Sequence, residues 1–196
     1  FGELLEAGAV GFSDDGACLA DAGLFRRALE YARSFDALLL QHAQEPRLTV
    51  DALAHEGVRA TRLGLRGWPR VAEEAIVARD LLLAGYVDAR YHVQHVSSAG
   101  TVELIRAAKA RGVRVTAEVT PHHLWLTDEA LEGYDTNAKV NPPLREEHDR
   151  AVLRDALRDG TLDCIATDHA PHSVLEKKIE FDRAAFGVVG LETALP

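Results

Sequence analysis

Five short apolar runs in this sequence each end in residues that bind metals or handle protons. Asp14-Asp15 follows the first run, His42 follows the second and His95 closes the third. His122-His123 follow the fourth, and Asp168-His169 the fifth. Each has a structural reading when taken singly: a histidine at a strand end commonly serves as a hydrogen-bonding group, and Asp15-Gly16 suits a turn. Recurrence at five successive run ends points instead to a shared use. Imidazole and carboxylate together suit borderline divalent ions, Zn²⁺ first, with Mn²⁺, Co²⁺ or Fe²⁺ as alternatives. Neither Cys18 nor Cys164 belongs to the set, which argues against a structural thiolate site. A divalent ion activates water near neutral pH and polarises a carbonyl. A carboxylate beside that water can carry its proton to a departing nitrogen. The expected chemistry is hydrolysis of an amide or a related bond.

The elements that must hold these residues alternate along the chain. The apolar runs cover 9–13, 37–41, 91–96, 113–119 and 162–167, with the length and Val/Leu/Ile content of buried parallel strands. Between them lie amphipathic patterns. Phe25, Ala28, Leu29 and Ala32 share one helical face, as do Leu104, Ile105 and Ala108, and Val152, Leu153, Ala156 and Leu157. Turns containing Gly8, Gly112 and Gly160 join helix to strand. Alternation of this kind implies a parallel sheet covered by helices, either an open doubly wound sheet or a (β/α)8 barrel. Polar chemistry at every strand end favours the barrel, where those ends converge on one face. Five strands are fewer than a closed barrel needs, so the expected fold is α/β, a partial (β/α)8 TIM barrel with residues 1–196 as one catalytic segment.

Composition bounds the rest. The chain has 196 residues, 47% of them hydrophobic and 27% charged, the balance of a globular domain with a sizeable core. A net charge of −9 argues against nucleic acid or an anionic membrane surface as a partner. No apolar run approaches the ~18 residues of a membrane span, no secretory leader pattern opens the chain, and no glycine-rich phosphate loop follows a strand. Two distant cysteines read as reduced thiols, with a cytoplasmic location expected. The absence of methionine, a start at Phe1 inside an apparent helix and an abrupt end at Pro196 suggest a piece of a longer polypeptide. A long connection over 45–69 carries Trp68 and several arginines and reads as a functional loop or lid. His92, within a strand, is expected to be structural. Trp68 and Trp125 fit either core or pocket, with core or loop packing favoured, and His122 and His123 either line the pocket or pack locally.

Several motifs are more specific than any single residue: Phe12-Ser-Asp-Asp-Gly16, His92-Val-Gln-His-Val-Ser97, Thr120-Pro-His-His-Leu124, Lys139-Val-Asn-Pro-Pro-Leu-Arg145, Ala166-Thr-Asp-His-Ala-Pro-His172 and Phe186-Gly-Val-Val-Gly190. In this order they resemble the dihydroorotase family of the amidohydrolase superfamily, across essentially the whole chain. The resemblance implies strands four to eight of the barrel, one or two zinc ions, and reversible hydrolysis of dihydroorotate to carbamoyl aspartate in pyrimidine synthesis. It implies Asp15 as a carboxylate bridging two metals, His42 and His95 as ligands of the second metal, and Asp168 as a ligand of the first metal and the general base and acid. It assigns Asn141, His172 and the backbone at Phe186 and Gly187 to the substrate. The family's early His-x-His pair is absent, so the segment alone is expected to be inactive and poorly stable. A homodimer or a complex with aspartate transcarbamoylase is possible within the family. Two alternatives remain: a related cyclic amidase acting on dihydropyrimidines, hydantoins or allantoin, and a non-catalytic relative that scaffolds the transcarbamoylase.

Overall fold

The computed structural model describes residues 1–194. Helix α1 (Gly2–Glu6) leads to strand β1 (Gly11–Ser13), then α2 (Ala22–Arg33) and β2 (Leu38–Gln41). An excursion follows with β3 (Ala54–His55), α3 (Val58–Leu63) and β4 (Gly67–Trp68). The alternation resumes with α4 (Val71–Val87), β5 (Arg90–Val93), α5 (Ala99–Ala110), β6 (Val115–Val119) and α6 (Pro121–Trp125). After two 3-10 stretches come α7 (Glu147–Arg158), β7 (Cys164–Ile165), α8 (Val174–Lys177) and α9 (Leu191–Ala194).

All five expected strands form, and they make one parallel sheet in the order β1-β2-β5-β6-β7. Side chains alternate across a strand, and the alternation identifies the architecture. Leu39, Tyr91, Val93, Ala117 and Val119 are buried in a single core with Phe25, Leu29, Ile105 and Leu153 of the helices. The long helices therefore lie on one face, as in a barrel wall; a doubly wound sheet carries them on both. Neighbours α2, α4, α5 and α7 pack in chain order along that face. The opposite face carries Thr116 and Glu118 of β6 and His92 of β5. His92 Nδ1 lies 2.7 Å from Thr116 Oγ1 and Nε2 lies 3.0 Å from Glu118 Oε2, so both ring nitrogens are engaged within the sheet.

Local signals fix the element ends. Asp21 caps α2 by accepting from the Leu24 amide at 2.6 Å, and Thr120 caps α6 ahead of Pro121. Gly8, Gly112 and Gly160 adopt φ of +100°, +79° and +80°, the left-handed turns that glycine permits. Two expectations need correction. The connection over 45–69 is a folded excursion, because parallel pairing of Ala54 with Gly67 and His55 with Trp68 closes a second small sheet around α3. Trp125 is 61% exposed, with the Arg154 guanidinium over its ring at the wall of an apolar groove, whereas Trp68 is buried. Helix α4, the longest, was not apparent in the sequence: Val71, Leu82 and Tyr86 are exposed while Ala72, Ile76, Val77, Leu81 and Ala84 are buried, so apolar residues surround it and leave no stripe to detect.

Candidate functional site

The C-terminal ends of the sheet strands open onto a cavity of about 240 Å³. Asp15, His42, His95, Asn141, Asp168, Phe186 and Gly187 all line it. Asp15 sits in the turn after β1, His42 follows β2 directly, and His95 lies two residues past β5. Asp168 leaves β7, and Asn141 comes from the stretch ahead of α7. His95 and Asp168 adopt φ of +33° and +44°. A side chain in that left-handed region costs on the order of 1–3 kcal/mol, and here the strain falls on two residues that face the cavity.

The donor atoms converge. His42 Nδ1 and His95 Nε2 are 2.9 Å apart. Asp15 Oδ1 lies 3.4 Å from His95 Nε2 and 3.9 Å from His42 Nδ1. One ligand atom from each of the three lies within 4.8 Å of the others, a group able to hold a metal ion. Both histidines are buried while the Asp15 side chain is 51% exposed, so the cluster opens toward solvent on its carboxylate side.

Electrostatics follow from this crowding. The hydrogen bond with His95 holds the Asp15 carboxyl below its usual range. Burial and the nearby His95 push the His42 imidazole down. Burial also pulls on His95, but Asp15, Asp168 and Glu118 outweigh it and raise that imidazole. Burial raises Asp168, which is the direction that favours a group able to take up and release a proton.

His172 lies just behind the cavity wall. Its Nε2 is 2.7 Å from the Phe186 carbonyl oxygen, and the Gly187 amide donates to the Lys139 carbonyl at 2.9 Å. Gly187 has φ +142°, and a Cβ there would meet the Ala170 carbonyl oxygen at 2.5 Å, so only glycine fits this wall. His169 turns away from the cluster, its Nδ1 accepting from the amides of Gly190 and Leu191 at 3.1 and 3.2 Å. His123 is buried and bonded to Thr120 Oγ1 at 2.7 Å and to the Pro142 carbonyl at 3.1 Å. His122 is buried outside the polar cavity, against an apolar groove of about 720 Å³. That groove is the larger of the two, and its walls are mainly apolar, with Leu124, Trp125, Leu157 and Val189 beside Arg154 and Arg158.

The surroundings contain residues that the sequence alone did not reveal. Gln44 accepts from Asn141 Nδ2 at 3.0 Å and lies 2.8 Å from His42 Nε2. A neutral amide two residues past a histidine carries no distinguishing signal in one sequence. Arg145, from the Asn-Pro-Pro-Leu-Arg run, is buried and donates to Ser97 Oγ at 3.1 Å and the Trp68 carbonyl at 2.8 Å. Glu73 accepts from the Ser97 and Ser98 amides at 3.1 and 3.2 Å. Together these bonds tie the loop behind His95 to the excursion, whose Trp68 packs edge-on against Phe186.

A family model described as "Dihydro-orotase-like" matches residues 1–101. The chain belongs to the dihydro-orotase-like family. Among curated proteins it is 61% identical over 184 residues to a dihydroorotase of Leifsonia xyli subsp. xyli, covering 94% of this chain and 42% of that protein. It is 59% identical over 189 residues to a dihydroorotase of Streptomyces coelicolor, covering 96% of this chain and 44% of that one. This dihydro-orotase-like chain thus spans less than half the length of these curated relatives. Among solved structures it resembles the L-hydantoinase (dihydropyrimidinase) of Arthrobacter aurescens, with a TM-score of 0.82 and 26% identity over 99% of this chain and 46% of that one. That likeness agrees with the barrel wall seen in the sheet.

Proposed function

We propose that this chain supplies the later strands of the active site of a metal-dependent dihydroorotase, which reversibly hydrolyses the cyclic amide of dihydroorotate to carbamoyl aspartate in pyrimidine synthesis. The observation that carries this reading is the convergence of Asp15, His42 and His95 donor atoms on a cavity that Asp168 and Asn141 also line. Identity of about 60% to named dihydroorotases supports the substrate.

The residues fit a divalent ion. Two imidazole nitrogens face each other beside a carboxylate oxygen, with no thiolate, a set that suits zinc. His42 Nδ1, His95 Nε2 and Asp15 would hold one ion; Asp15 and Asp168 would reach toward a second, with the remaining ligands supplied by the rest of the protein. When bound, the metal activates water for attack near neutral pH and polarises the amide carbonyl.

The chain's own groups do the remaining work. Asp168, raised by burial, takes the proton from the attacking water and passes it to the departing ring nitrogen. In the reverse direction it removes that proton. Asn141 Oδ1 is buried and has no hydrogen-bond partner among the described residues, so it is placed to accept from a ring N–H. The main chain at Phe186 and Gly187, backed by His172, forms the wall against which the substrate carboxylate rests. The two free cysteines suit a reducing compartment, and we place the protein in the cytoplasm. Among the described residues no helix is long and apolar enough to cross a membrane.

In the full-length protein, Asp168→Asn is expected to lower kcat for dihydroorotate by about 10²–10⁴-fold, the usual worth of a general acid–base group. Turnover equal to the parent would remove Asp168 from this role. The likeness to the Arthrobacter enzyme favours a second reading, a hydantoinase or dihydropyrimidinase. Comparing turnover of dihydroorotate, hydantoin, dihydrouracil and allantoin separates the two. A protein that turns over none of them and binds a transcarbamoylase would instead be a scaffold.

A further inference from the structure

Gln44 lies two residues beyond His42, where the chain leaves β2. Its Oε1 is 2.8 Å from His42 Nε2 and 3.0 Å from Asn141 Nδ2, while its Nε2 donates to Thr49 Oγ1 at 2.7 Å. Asn141 Nδ2 can only donate, so the Gln44 atom facing it must be the carbonyl oxygen. That oxygen bonds to His42 only if His42 Nε2 carries the ring proton. The lone pair of neutral His42 is then left on Nδ1, the nitrogen that faces His95 Nε2 and Asp15 Oδ1. The same contact turns the Asn141 amide, spending Nδ2 on Gln44 and leaving Oδ1, on a residue that lines the cavity, with no partner among the described residues. Rotating the Gln44 amide would set its NH₂ against the Asn141 NH₂, and the Thr49 hydroxyl, which donates to the Glu45 carbonyl at 3.2 Å, is left to accept from Gln44 Nε2. Gln44 and Asn141 are 97 residues apart in sequence, and one Gln44 oxygen serves both Asn141 and His42.

We infer that Gln44 is a positioning residue that sets both halves of the site at once, presenting His42 Nδ1 to a metal ion and Asn141 Oδ1 to the ring N–H of the substrate. The inference rests on the metal-site reading given above. It concerns an amide that touches neither ion nor substrate and acts through two side chains that do.

The test uses the full-length protein with Gln44→Leu, which removes the shared acceptor at similar volume, and Gln44→Glu, which keeps an acceptor oxygen. Zinc affinity is measured by competition with a chromophoric chelator, and the His42 tautomer of the metal-free protein by ¹⁵N NMR. Outer contacts of this kind typically hold about 10–100-fold in metal affinity, so Gln44→Leu should weaken zinc by that factor and raise KM for dihydroorotate. Gln44→Glu should return zinc affinity toward the parent, a rescue that a general packing defect would not show. The parent should hold His42 as the Nε2–H tautomer, and Gln44→Leu should give a mixture. Parent-like zinc affinity and tautomer in Gln44→Leu would overturn the inference, as would a parent His42 protonated on Nδ1, which needs no variant to fold. If the parent takes up no metal, the metal-site reading fails on its own, while the tautomer still decides the role of Gln44.

Discussion

At the scale of single residues, burial and crowding shift the proton affinities of groups at and near the site. Asp168 is raised by burial, and His42 is pushed down by burial and a second imidazole. His122 is the clearest case outside the cluster. Burial, reinforced by the charge of His95, lowers it to about 4, and neither ring nitrogen has a hydrogen-bond partner among the described residues. The fold therefore favours neutral His122. Its contribution to stability is fully present above the unfolded value near 6.5 and is lost as pH falls through about 4. The difference corresponds to about 3 kcal/mol. His122→Leu should flatten that part of the acid limb, read as urea unfolding free energy at pH 7 and near pH 4.5; an unchanged acid limb would contradict it. The residues that the fold brings together around the cavity were largely legible in the sequence. Asp15, His42, His95 and Asp168 stand out because ionisable groups recur at apolar run ends. Gln44 and Arg145 do not, since an amide and a lone arginine act here through contacts that only the fold creates.

Among the elements, the sequence identified the strands more completely than the helices. Strands announce themselves by short apolar runs, whereas α4 is apolar around most of its circumference and the excursion over 45–69 contains strands of two residues each. Close approach between elements gives a sharper test. Gly190 has no left-handed backbone, yet a Cβ there would lie 2.1 Å from the Thr167 carbonyl oxygen. The stretch ahead of α9 therefore sits directly on the main chain that turns Asp168 into the cavity, and its amide also holds His169. Gly190→Ala must push the peptide at Thr167 aside. A displacement of about 1 Å at a reacting group can cost on the order of 10²-fold in rate, so kcat should fall much more than KM rises. Parent-like kcat would show that Asp168 is positioned by other contacts.

For the whole molecule, a five-stranded parallel wall leaves β1 and β7 each with one partner strand among the described residues. Unpaired parallel edges invite other chains. The 196-residue piece studied alone should self-associate with concentration, visible by light scattering, and should show no dihydroorotate turnover with added zinc. A monodisperse, active monomer would contradict both. The sequence revealed the barrel class because ionisable residues recur at five strand ends, but it could not reveal how the excursion braces the wall.

The contrast between the two tryptophans has an optical consequence. Trp68 is enclosed beside Phe186 at the cavity wall, and Trp125 stands in solvent with Arg154 across its ring. Trp125 should emit at longer wavelength and be reached by a water-borne quencher such as acrylamide, leaving a shielded, shorter-wavelength component from Trp68. With Trp125→Phe, the remaining fluorescence becomes a built-in reporter of events at the cavity wall.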